Sequence, residues 1–252
     1  MSGAAYDSAM TIGKLSRRDA IIVLGTSVAA GTLAGCGGEE APAATVVTFS
    51  FATDQDGWEV LYSDYILGME PIIEFSADVE SLPGPLGPAK GFKMTSINRS
   101  DDLWMCIFAR VPNLLPHQRY KVDMSVTMAV NGGTGCWGAG GIPGAGVTVK
   151  AGAVSARPAT VMQADNYVAV NFDKGNQTVG SAGVPVIGDL SSSSTVCTDS
   201  PYEIKTLATP AAGAVASADA NGDLWLVVGT DSGYEGLTTL YYTRGTATLT
   251  AV

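Results

Sequence analysis

Hydrophobic and polar residues alternate in short runs along most of this chain. The clearest run has Tyr120, Val122, Met124, Val126, Met128 and Val130 interleaved with Lys121, Asp123, Ser125, Thr127 and Ala129. A repeat of two is that of an extended backbone, whose side chains point alternately to opposite faces. Residues 120–130 are therefore predicted as a strand with one buried and one mostly wet face. Residues 103–111 (LWMCIFARV) are apolar almost throughout and read as a buried strand. Further strands are predicted at 45–51, 72–79, 92–97, 147–151, 167–172, 202–207, 224–228 and 237–251. The stretch 81–88 (SLPGPLGP) cannot be regular, because its prolines and glycines break both helix and sheet ladders. Asn221-Gly222 marks a hairpin turn, since both residues tolerate positive φ. No stretch beyond residue 36 carries an amphipathic helical repeat. Many short strands without helices predict an all-β fold: a sandwich, a jelly roll or a barrel.

The first 35 residues follow a different pattern. A polar segment ends in Lys14, Arg17 and Arg18, and an apolar run follows from Ala20 to about Leu33. That run is too short for the ~20 residues of a membrane span and fits a removed leader. Arg17-Arg18, the apolar run and Leu33-Ala34-Gly35-Cys36 together resemble a bacterial lipoprotein export signal of the twin-arginine type. The usual Phe two places after the second Arg is missing. The resemblance implies cleavage before Cys36 and a diacylglyceryl thioether on that residue, whose two chains suffice for stable anchoring. Gly37 after the cysteine implies outer-membrane sorting if the cell is Gram-negative, and otherwise the outer face of the cytoplasmic membrane. The expected organisation is a signal peptide (1–35), a flexible tether (36–44) and a single domain (45–252).

The chain carries a net charge of −10, and loss of the leader makes it slightly more negative. An acidic surface argues against nucleic acid as a partner. Of four cysteines, Cys36 belongs to the export signal and Cys106 lies in a predicted buried strand. Cys136 and Cys197 both lie in loop-like stretches, GGTGCWG and SSSSTVCTDS, and outside the cytoplasm such a pair is expected to be a disulfide. No CxxC or Cys/His grouping suggests zinc.

Two short stretches bear on the fold. Phe49-x-Phe51 followed by Asp56-Gly57-Trp58 resembles the first strand and turn of galactose-binding-like jelly rolls, the superfamily of many carbohydrate-binding modules. Leu114-x-Pro116, Tyr120 and Val122 resemble a strand entry of the same superfamily. The resemblance implies a β-sandwich jelly roll, often with a structural calcium near its first strand. NRSDDLWM (residues 98–105) and GTDSGYEG (residues 229–236) resemble a family of uncharacterised bacterial lipoproteins.

Three polar constellations are candidate chemistry. Asn98, Arg99, Asp101 and Asp102 place adjacent carboxylates beside a guanidinium; ligand contact and a solvated turn are both open readings. Residues 229–236 read as an eight-residue loop between two strands, with Asp231 and Glu235 as oxygen ligands and Tyr234 as a platform. Asn176 and Gln177 supply paired donors and acceptors suited to sugar hydroxyls. Trp137, in a glycine-rich loop, is a candidate for stacking on a sugar ring, although packing on the disulfide explains it equally well. Asp54, Asp56, Asp231 and Glu235 are the expected calcium set, provided the fold gathers them. The single histidine, His117, has no GxSxG nucleophile to serve, so no catalytic residue is assigned. The resulting expectation is an exported, membrane-anchored, non-catalytic module that binds carbohydrate or another envelope ligand. The alternatives are a structural or protein-interaction lipoprotein and a glycan-active enzyme.

Overall fold

The computed structural model describes residues 44–252, so the leader, Cys36 and all of the tether but its last residue lie outside the described residues. In chain order the elements are β1 (Thr45–Ser50), β2 (Glu59–Ser63), β3 (Tyr65–Ile66), α1 (Glu70–Ile73), β4 (Ser76–Ser81), β5 (Lys90–Ile97) and β6 (Leu103–Val111). They continue with β7 (Arg119–Val130), β8 (Val147–Val154), β9 (Thr160–Met162), β10 (Tyr167–Val170) and β11 (Val186–Asp189). The last are β12 (Glu203–Ala208), β13 (Ala214–Ser217), β14 (Leu224–Ser232) and β15 (Leu237–Ala251).

Two antiparallel sheets form an all-β sandwich, and a third, small sheet joins β3, β10 and β9. One sheet runs β4–β5–β15–β7–β12, with β1 also on β15 and β13 also on β7; the other runs β11–β8–β14–β6–β2. The period of two explains how they pack. Val122, Met124, Val126 and Met128 of β7 point inward and meet Met105 and Ile107 of β6, Val149 and Ala151 of β8, and Leu226 and Val228 of β14. Phe49, Phe51, Trp58 and Phe92 close the core with tilted and edge-on ring contacts.

The central strands of the second sheet are buried on both faces. On its outer side Trp104, Cys106, Phe108 and Val227 form another apolar cluster with Val154 and Val184. Every residue of β8 is buried, as is β6 from Leu103 to Phe108. Double burial is why LWMCIF is continuously apolar while β7 alternates.

The segment 72–79 departs from the predicted strand in its first half, while residues 76–79 lie within β4. Glu70–Ile73 is one helical turn with Pro71 at its start, and Glu74 ends it in the left-handed region at φ 52°. Pro lacks the N–H a strand ladder needs but suits a first helical turn. Within 81–88 one 3₁₀ turn forms at Gly84–Leu86. Cys106 is a buried free thiol, and Cys136 and Cys197 are bonded, with Cα atoms 5.3 Å apart.

Candidate functional site

Strand register gathers several loops at one end of the sandwich. Ser232, the last residue of β14, pairs with Leu103 at the start of β6 and with Val147 at the start of β8. Leu237, the first residue of β15, pairs with Ile97 at the end of β5. The loops 98–102, 131–146 and 233–236 therefore share this rim. Hydrogen bonds tie them together. The Asn98 side-chain amide donates to the Ser232 carbonyl at 2.6 Å, the Glu235 amide to the Ala139 carbonyl at 2.9 Å, and the Gly233 amide to the Gly146 carbonyl at 3.0 Å. The loop after β10 joins them through Gln177, whose amide donates to the Asp101 carbonyl at 3.3 Å. The disulfide fastens the 131–146 loop to the loop between β11 and β12.

Below the rim, on the outer side of the second sheet, lies a group of buried charges. Lys150 of β8 and Asp231 of β14 are both 0% exposed. The Lys150 ammonium donates to Asp231 Oδ2 at 2.7 Å and to the carbonyls of Lys174 and Val179 at 2.9 Å each. Lys174 enters from the covering loop and donates to the same Asp231 oxygen at 2.8 Å. It also lies 2.9 Å from Asp64 Oδ2, just beyond β2. The Trp104 ring centre is 5.5 Å from the Lys174 ammonium and 6.0 Å from that of Lys150, a cation–π arrangement. Asp102 completes the group, and its carboxyl, that of Asp64 and that of Asp231 approach within 4.8 Å of one another. Two ammonium groups already stand among these carboxylates and supply the positive charge a cation would bring.

The protonation states follow from burial and partners. Burial, then the hydrogen bond to Asp231, raises the Asp102 carboxyl to about 7. Burial disfavours charge on Asp231 too, but the proton of Asp102 and the two ammonium groups overcome it and hold Asp231 below the ordinary carboxylate range. Burial would lower Lys174, yet Asp231 and Asp64 raise it above the usual lysine value. For Lys150 burial prevails and the shift is downward. A cleft of about 230 Å³ opens over the group, lined by Asp64, Asp102, Gln163, Tyr167, Lys174 and Asn176 among others.

The predicted site residues divide between rim, interior and elsewhere. Trp137 is 84% exposed; Arg99, Asp101, Asn176 and Gln177 are exposed too, with Asn176 on the cleft. Asn98 is buried and spends its amide internally, accepting from the amide of Ser100 at 3.0 Å. Tyr234 is half-buried against the core, and its ring occupies the space beside Gly138 and Gly236. The eight-residue loop expected at 229–236 is shorter: β14 extends to Ser232, and only residues 233–236 turn. Asp231 is consequently an interior strand residue rather than a rim ligand. The set Asp54, Asp56, Asp231 and Glu235 is not gathered. Asp54 and Asp56 serve the turn after β1, where Asp56 accepts from the Ser50 amide at 3.1 Å.

Asp64, Lys150 and Lys174 were not singled out as site residues by sequence reasoning. A signal existed for Lys150, the one charge within the apolar run Val147–Val154. A cation in the middle of a doubly buried strand requires a partner. Nothing local identifies Asp231 as that partner.

No family model and no curated protein matches the chain. Solved structures similar to it include a carbohydrate-binding module of the β-sandwich superfamily, at 13% identity and TM-score 0.34, covering 74% of this chain and 55% of that one. The K1 cleaved adhesin domain of Lys-gingipain from Porphyromonas gingivalis is similar at 11% identity and TM-score 0.36, covering 82% of this chain and 99% of that one. The mannan-recognising module TmCBM27 is similar at 8% identity and TM-score 0.39, covering 83% and 99%. No residue role is carried over from these likenesses.

Proposed function

We propose that this protein is an exported lipoprotein, anchored through Cys36, whose jelly-roll domain is a non-catalytic module binding carbohydrate or another envelope ligand at its loop rim. The supporting observation is that four loops meet at one end of the sandwich and present Trp137 at 84% exposure. An indole held out of the core by a disulfide-fastened loop offers an apolar face to a sugar ring. Asp101, Arg99, Asn176 and Gln177 supply donors and acceptors for the hydroxyls around it.

The test is binding of the purified protein to a panel of immobilised polysaccharides and cell-wall fractions. Trp137→Ala is expected to abolish retention while leaving the melting temperature unchanged. Retention that survives both Trp137→Ala and the Asn176→Ala/Gln177→Ala double variant would overturn the rim as the site. Anchoring is tested separately: Cys36→Ser should move the protein from the membrane fraction to the soluble one.

A further inference from the structure

We propose that Lys150 and Asp231 condense to an intramolecular amide that covalently joins β8 to β14. Both side chains are 0% exposed, and the Lys150 nitrogen lies 2.7 Å from a carboxylate oxygen of Asp231. The two residues sit on the same face of adjacent strands. Lys150 pairs with Gly229, so Asp231 is its diagonal neighbour, within reach of a long side chain. The carboxyl carbon is one C–O bond beyond the contacted oxygen, which brings nitrogen and carbon near the ~3–3.5 Å separation from which such groups react. Strand pairing holds them there permanently, so the reaction incurs almost none of the entropy cost of bringing two molecules together.

The surrounding groups serve the chemistry. In the ionised pair, one ammonium proton passes to the Asp102–Asp231 carboxyl pair and leaves a neutral amine. Nζ then attacks Cγ of Asp231, forming the C–N bond. Lys174, 2.8 Å from Asp231 Oδ2, stabilises the negative charge that develops on that oxygen. Oδ1, which has no ammonium partner, is the oxygen that departs. Asp102 passes it the first proton, the second moves from the nitrogen to the same oxygen, and the C–O bond breaks to release one water. Asp102 ends as it began. No oxidant or other co-reactant is needed.

The environment favours the amide over the ions. Condensation removes two fully buried charges, whose desolvation is costly even when paired. Lys174 and Asp64 remain as a balanced pair. Trp104 and Phe172 pack edge to face beside the site and help exclude the water that hydrolysis would require.

The test is a peptide map of the full-length protein, denatured and reduced before digestion with trypsin. The expected product is a branched species in which the peptide beginning at Val122 is uncut after Lys150 and joined to the peptide containing Asp231. Its mass should be about 18 Da below the sum of the two, the loss of one water. Recovery of the two linear peptides, with cleavage after Lys150, would overturn the proposal. A branch at Lys174 instead would overturn the assignment to Lys150. Lys150→Met should yield only linear peptides. Asp102→Asn should too if Asp102 relays the proton, and a full branch in that variant would remove it from the mechanism. The wild-type map decides the main point even if a variant fails to fold.

Discussion

The indole of Trp104 occupies the space that a side chain at Gly229 would need: a Cβ there would meet Trp104 Cζ2 at 2.5 Å. The two residues lie on neighbouring strands, with Gly229 paired to Cys106 in the register of β14 and β6. The missing side chain lets the ring lie beside the buried lysines and roof the charge cluster. Gly229→Ala is expected to destabilise the domain by about 1–3 kcal/mol, the usual range for overpacking a filled core. Urea unfolding followed by tryptophan fluorescence measures it, and a loss under ~0.5 kcal/mol would show that the ring moves freely.

Lys174 is the counter-charge of Asp64, and both are nearly excluded from solvent. Lys174→Met keeps the volume and removes the charge, leaving a buried carboxylate unpaired. The expected cost is about 3–5 kcal/mol. Adding Asp64→Asn to that variant should recover part of it, because the stranded charge is then gone. A double variant no more stable than Lys174→Met alone would separate the two residues energetically.

Asp102 makes stability depend on pH in a defined direction. Its folded-state value is about 7, above the unfolded value near 4, so the folded protein holds this proton more tightly. Its contribution is complete below about pH 4 and is lost as pH rises towards about 7. Burial is the largest cause, so the effect does not depend on Asp231 remaining ionised. Asp64, also raised chiefly by burial, acts in the same sense. Asp189, lowered by its bonds to Lys205 and Ser191, acts oppositely and at pH values below the ordinary carboxylate range. Of the other titratable groups around Asp102, burial lowers Lys150, while Lys174, held by Asp231 and Asp64, and Tyr167, by burial, are shifted upward, away from this window. Unfolding free energies between pH 4 and 8 should fall with rising pH in the native protein and fall less steeply in Asp102→Asn, where Asp64 alone still contributes.

The disulfide spans 61 residues between two surface loops. Reduction, or Cys136→Ser with Cys197→Ser, is expected to cost up to roughly 4 kcal/mol by the chain-entropy account. Calorimetry with and without reductant checks this. The same treatment should weaken ligand retention, since the 131–146 loop carries Trp137. Trp137→Ala itself should change stability by less than ~0.5 kcal/mol because the ring is exposed.

Strand positions were largely legible because alternation is local. Tyr120–Val130 and Leu103–Val111 show it in two forms, one face buried and both faces buried. The Cys136–Cys197 pair was legible because two loop cysteines remained after Cys36 and Cys106 had been assigned. The short strands Glu59–Ser63, Thr160–Met162 and Val186–Asp189 escaped notice, being too brief for a period to show. The stretch 72–75 misled because Ile72, Ile73 and Phe75 suit a strand by composition, while Pro71 turns the backbone first.

The sequence by itself determined an all-β chain and the disulfide partners, since each depends on residue type and near neighbours. Tertiary structure alone decided that Asp231 is interior, that Lys150 meets it across 81 positions, and that Asp102 and Lys174 close around the pair. The reason is cross-strand register. It sets which distant side chains share a face, and the loop covering the outer side of the second sheet turns that shared face into a dry site where charges must find one another.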